Sequence, residues 1–215
     1  MTAECTREMF LRHVRQAIGQ PGEPIPLPDP AAVARVVKPD ADLVGLFLKR
    51  VEEAKMSGYR VGDEAGVASK VVEIASAASA KTAIVPEEDI PGRDRIVSTL
   101  QDKGIRLLDV NDHDAAFDAD VGITGAAWAV AETASVSLLS GGPRRRLASL
   151  AVPCSIVVVR VGQIVADLLD WAAAQPADLP ACQVLVSGPS KTADIELVLV
   201  IGVHGPKEQH IIVVG

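Results

Sequence analysis

A chain of 215 residues, 48% hydrophobic and only 3% aromatic, has room for one sizeable domain whose core is built from Val, Leu, Ile and Ala rather than from large rings. Its net charge of −7 opposes nucleic acid and anionic lipid surfaces as general partners. The cysteines Cys5, Cys154 and Cys182 are odd in number and scattered, which suits reduced thiols better than a disulfide framework and excludes an iron–sulfur cluster held by this chain alone.

Residues 1–8 are polar and charged, unlike a signal peptide, and the longest mainly apolar run, 195–203, is about half of a bilayer span. A cytoplasmic protein without a membrane span is expected. Met9, Phe10, Val14, Ala17 and Ile18 recur at helical spacing, and Gly19 ends that helix. Five prolines from Pro21 to Pro30 then make an extended linker, so residues 1–38 read as a helix plus linker and 39–215 as an α/β domain.

A second helix is expected over 40–55, with Leu43, Val44, Phe47, Val51 and Ala54 as its buried stripe and Asp40 or Asp42 as its cap. A short edge strand at 59–61 and an Ala-rich helix at 64–80 follow. Strand and helix then alternate: strand 82–85, helix 93–103, and strands 105–109 and 121–124. After a short turn of small residues come strand 135–139, strand 155–159, helix 163–171, and strands 184–186 and 211–214. The continuous apolar run at 155–159 suits a strand covered on both faces. This order predicts a three-layer αβα sandwich with a mainly parallel sheet.

Several segments bear on chemistry. In the run Ser187-Gly188-Pro189-Ser190-Lys191-Thr192 a strand gives way to a tight turn, and Ser190 or Thr192 occupies an N-cap position. Two readings fit: a structural cap with Asp194 and Glu196 in the first turns, or free N–H groups and Lys191 aimed at an anion. The apolar tail 197–201 can also form a strand. Gly202 and Gly205-Pro206 leave His204 on a loop, and the other histidines are scattered, so no metal site and no resident cofactor is expected. Glu132 is enclosed by small residues between apolar strands, where an unpaired carboxylate is costly; it either holds the Thr133–Ser135 turn or is functional. Arg144, Arg145 and Arg146 stand out against the acidic total and can grip a carboxylate or phosphate.

Gly122-Ile123-Thr124, Ala131-Glu132-Thr133, Arg146 with Ser149-Leu150, the stretch from Ser187 to Glu196, and Gly202-Val203-His204-Gly205-Pro206 occur in this order. The pattern resembles the lactate-utilisation (LUD) domain family, from about Leu43 to the C-terminus. The resemblance implies a fold like the ribose-5-phosphate isomerase, CoA-transferase and formyltetrahydrofolate cyclo-ligase group. It also implies a role beside iron–sulfur partner proteins in oxidising L-lactate to pyruvate.

Glu132 is then the candidate catalytic residue. Thr124, Thr133, Ser135, Arg144, Arg146, Ser187, Gly188, Ser190, Lys191, Thr192, Asp194, Glu196 and His204 are candidates for holding a small anionic ligand. Family members often carry Asp at the position of Ala127 and Gly at that of Ala134. The first difference removes a polar group; the second adds a Cβ to a turn. Other readings are a free-standing enzyme acting through Glu132 on a phosphorylated or CoA-like ligand, and a non-catalytic sensor or scaffold that keeps the anion pocket.

Overall fold

The computed structural model describes residues 6–18, 33–38, 41–112, 114–176, 180–193 and 199–215. The proline linker, Asp40, His113, Asp194 and Glu196 lie outside them. The chain divides into two units, Met1–Ala34 and Arg35–Gly215. In the first, helix α1 spans Arg7–Ile18, and the Thr6 hydroxyl accepts the Met9 N–H at 3.3 Å. The second unit carries the α/β layers.

Its central layer is a six-stranded, wholly parallel sheet. The strands are β1 (Ser57–Val61), β2 (Thr82–Ile84), β3 (Arg106–Leu107), β4 (Val121–Gly125), β7 (Cys154–Arg160) and β12 (Glu208–Val214). Their order is β1-β12-β7-β4-β2-β3, which puts β1 at an edge. The Val- and Ile-rich runs of β7 and β12 pair in register from Glu208 opposite Cys154 to Val214 opposite Arg160. Being β-branched and apolar on consecutive residues, they suit a strand buried on both faces.

Side chains leave a strand alternately to its two faces, so these runs serve two cores. On one face Val121, Ile123, Ile156, Val158 and Ile212 meet Val67, Val71, Ile96 and Leu100. Those belong to helices α3 (Glu64–Ala77) and α4 (Arg93–Asp102). On the other face Val157, Val159, Ile211 and Val213 meet Phe47 and Val51 of α2 (Leu43–Glu53). Asp42 caps α2, its carboxylate accepting the Gly45 N–H at 3.0 Å, and Asp63 caps α3 the same way through Gly66 at 2.7 Å.

A second sheet shares that face with α2. It contains β5 (Trp128–Val130), β6 (Ser135–Ser140), β8 (Ile164–Val165) and β9 (Cys182–Val186), ordered β8-β5-β6-β9. The layer is completed by short helices α5 (Ala115–Asp118) and α6 (Leu147–Leu150), which pack on Ile84. The expected parallel α/β sandwich is present, with one outer layer part helix and part sheet.

Three local expectations change. Residues 126–134 are not only a turn: Trp128–Val130 pairs with both β6 and β8. The helix expected at 163–171 starts late, as α7 (Leu168–Ala173). Asp167 accepts the N–H groups of Leu169 and Asp170 at 2.9 and 3.0 Å and so defines the start, while Ile164 and Val165 are drawn into β8. The helix expected after Ser190 is instead a hairpin of β10 (Lys191–Ala193) and β11 (Leu199–Ile201). The β-branched Val200 and Ile201 favour extended backbone, and the Ser190 carbonyl is engaged by the Gly202 N–H at 2.8 Å rather than starting a helix.

Candidate functional site

Ligands of open α/β sheets bind beyond the carboxyl ends of the strands, and here β2, β3, β4 and β7 end close together. Gly122 and Gly125 of β4 allow the crowding. A Cβ on Gly122 would stand 1.7 Å from the Ala148 carbonyl oxygen of α6, and one on Gly125 would stand 2.5 Å from that of Asp89. The 122–125 motif is thus a packing surface as well as a strand. Its Thr124 is buried, and the hydroxyl has no hydrogen-bond partner.

The loop after β2 supplies two carboxyls. Glu88 Oε1 accepts the Gly125 N–H at 2.9 Å; burial raises its pKa, with the Gly125 N–H and the charge of Arg144 opposing. Asp89 takes both guanidinium nitrogens of Arg160 at 2.8 and 2.9 Å, which lowers its pKa. Ala127 lies in the same small hollow as Glu88, Arg144 and Gln163, so an Asp there would place another carboxyl beside Arg144.

The arginine run lies next to this group. Arg144 and Arg146 line a cavity of about 560 Å³ with Ile84, Asn111, Ser140 and Leu147. Arg145 is tied down, donating to the carbonyls of Val110 and Gly142 and to Asn111 Oδ1 at 3.1, 2.6 and 2.9 Å. Arg146 reaches Cys182 Sγ at 3.6 Å, and among the described residues neither it nor Arg144 has an ion-pair partner. Two guanidiniums without ion-pair partners among the described residues, beside an amide and a hydroxyl, can hold a small carboxylate or phosphate.

The other candidate residues gather elsewhere. Thr133, Ser135 and Ser187 form a chain of hydroxyls, 2.7 Å from Thr133 to Ser135 and 2.6 Å from Ser135 to Ser187. The Lys191 ammonium donates to the Ala54 carbonyl at 3.2 Å, just past α2, and the Ser190 N–H donates to Pro206 at 2.9 Å. These contacts put the 187–191 loop at the amino ends of β1 and β12, away from the arginine cavity. Among the described residues this loop leads into strand β10 rather than into a helix. Gly188 has φ +135°, a conformation suited to glycine, and Thr192 pairs with Val200 in the hairpin. His204 lines a separate hollow with Phe117, Leu150 and Lys207.

Glu132 lies beside a different hollow from Arg144 and Arg146. It is half-buried and lines a cavity of about 430 Å³ with Val37, Lys38, Leu46 and Arg50. Among the described residues its carboxylate has no hydrogen bond and no ion pair. The Thr133–Ser135 turn is instead shaped by Ala134, whose φ of +56° lies in the left-handed region where glycine is at ease.

Sequence reasoning passed over two groups. Glu88 and Asp89 sit in a loop between a strand and a helix, a placement the sequence does show. Cys154, Glu208 and His210 come together across β7 and β12, with one ligand-type atom from each within 4.8 Å of the others. Their separation in sequence hides them.

Known proteins share this architecture. The chain is 44% identical over 98 residues to lactate utilization protein C of Halalkalibacterium halodurans, a match covering 42% of either chain. It is 42% identical over 100 residues to lactate utilization protein C of Deinococcus radiodurans, covering 45% of this chain and 47% of that one. These matches span less than half the length of the curated relatives. The crystal structure of a DUF162 family protein from Deinococcus radiodurans superposes with a TM-score of 0.57 at 26% identity, over 81% of this chain and 97% of the other. The LUD domain model matches residues 44–214, from the start of α2 to the end of β12, and the chain therefore belongs to the LUD domain family.

Proposed function

We propose that this chain serves lactate utilisation as an accessory protein, holding a small carboxylate at Arg144 and Arg146 and working beside iron–sulfur partner proteins. The observation that carries the reading is the pair of guanidiniums, unpaired among the described residues, facing one cavity near the carboxyl ends of the sheet. Relatives named lactate utilization protein C supply the metabolic setting. Converting L-lactate to pyruvate removes two electrons and two protons. Three scattered cysteines do not make a cluster site, so the electron acceptor falls to the partners. This chain would bind and orient the anion, with Asn111 and Ser140 available to its oxygens.

Calorimetric titration with L-lactate, pyruvate and the neutral lactamide tests the pocket. The two anions should bind and the amide should not, and Arg144→Gln and Arg146→Gln should each weaken binding by about tenfold, the loss of one charge-assisted contact. Silence with both anions, or unchanged affinity in both variants, overturns the reading. Iron measured in a native-cell pull-down tests the partners separately.

One observation favours a second reading, a free-standing enzyme: the half-buried, unpaired Glu132 carboxylate facing a cavity with Lys38 and Arg50, whose Nε is buried without a partner. Unchanged turnover of a phosphorylated or CoA-like substrate by the isolated chain with Glu132→Gln, at an unchanged melting temperature, removes it.

A further inference from the structure

At the amino end of the sheet the first residues of β7 and β12 face each other, Glu208 opposite Cys154. Two residues along β12, His210 returns to the same face. Cys154 lies in the core that α3 and α4 cover, and β7 and β12 hold all three residues on rigid, paired backbone.

We propose that Cys154, Glu208 and His210 form a zinc site, with thiolate, carboxylate and imidazole ligands and a fourth position open to water or a small anion. A tetrahedral zinc ion with bonds of about 2.0–2.3 Å places its ligand atoms about 3.3–3.8 Å apart. Glu208 Oε2 and His210 Nε2 already lie 3.6 Å apart, and the three ligand atoms lie within 4.8 Å of one another. Side-chain rotation therefore closes the site without moving the strands.

His210 is positioned for this role by a residue outside the ligand set. Tyr59 of β1 stacks on the imidazole with ring centroids 6.0 Å apart, and its hydroxyl lies 3.3 Å from Nδ1. If Nδ1–H donates to that hydroxyl, the lone pair of Nε2 is free for a metal, the arrangement in which outer partners set the tautomer of a ligating histidine. Nε2 is buried and has no hydrogen-bond partner.

Charge points the same way. A divalent cation offsets the thiolate and carboxylate together, and mixed S, N and O donors suit zinc. Glu208 keeps 66% of its side chain exposed, which gives the ion a way in from solvent.

The test is cobalt titration of untagged, reduced, metal-stripped protein, followed by zinc. One cobalt per chain should bind with a thiolate charge-transfer band, and one equivalent of zinc should displace it. Cys182→Ser should keep the band and Cys154→Ser should lose it. Glu208→Gln changes an exposed side chain, so it should fold normally while binding cobalt about 100-fold more weakly or worse. Tyr59→Phe should cost about 10- to 100-fold, as removal of an outer partner does. No band in the wild-type chain, a band that follows Cys182 rather than Cys154, or unchanged affinity in folded Glu208→Gln would each overturn the site.

Discussion

The two larger sheets of this domain are held in register by different means. In the central sheet, Ile156, Val157, Val158 and Val159 of β7 are fully buried between two apolar layers. The second sheet turns Val136 and Leu138 of β6 toward that core, while on alternate residues Ser135 and Ser137 bond to Ser187 and Gln183 at 2.6 and 2.7 Å. Apolar burial is strong but tolerant of detail, whereas matched hydroxyls are weak individually yet specific. The first sheet is therefore a frame, and the second positions loops on it.

At Gly122, α6 touches the frame. The methyl of Gly122→Ala would overlap the Ala148 backbone, so the expected loss is about 3 kcal/mol or more, read from urea unfolding. A loss below about 1 kcal/mol would mean that α6 yields easily and the frame is looser than described.

Ser137→Ala probes the second sheet. It leaves the Gln183 amide without its buried acceptor, and about 1–3 kcal/mol should go. The effect should add to that of a substitution in the α3/α4 core and not to Gln183→Ala, which a double-mutant cycle measures.

Glu88 lies at the junction. Its folded pKa is raised above the ordinary 4.5 by burial, so between 4.5 and that raised value the folded state holds more protons than the unfolded one. Its contribution to stability is complete below 4.5 and is lost as pH rises through the folded value. Urea midpoints from about pH 4 to about pH 7 should therefore fall in the wild type relative to Glu88→Gln; parallel curves would refute the shift.

The smallest effect is expected at Ala134. Glycine there relieves about 1–2 kcal/mol of left-handed strain, but loses a buried methyl worth about 0.8 kcal/mol and gains unfolded-state freedom worth about 0.4–1 kcal/mol. Ala134→Gly should leave the melting temperature within a few degrees, and a large drop would show that methyl packing governs the turn.

By itself the sequence determined the parallel α/β layers, an aspartate cap on α2 at position 40 or 42, and an edge strand at β1, because these follow from local periodicity and cap chemistry. It also carried the family segments, including a turn at Ala134 where a Cβ is ill at ease. Tertiary structure decided the rest. Ser190 enters a hairpin because its N–H meets Pro206, a partner no local pattern announces. The arginine cavity and the hydroxyl chain of Ser135 and Ser187 fall at separate places, although the sequence put their residues in one site. Cys154 finds Glu208 and His210 only through the register of β7 on β12. Periodicity is written in neighbouring residues and survives any arrangement of the layers. Register and close approach depend on which strands become neighbours, and that is settled only when the whole core packs.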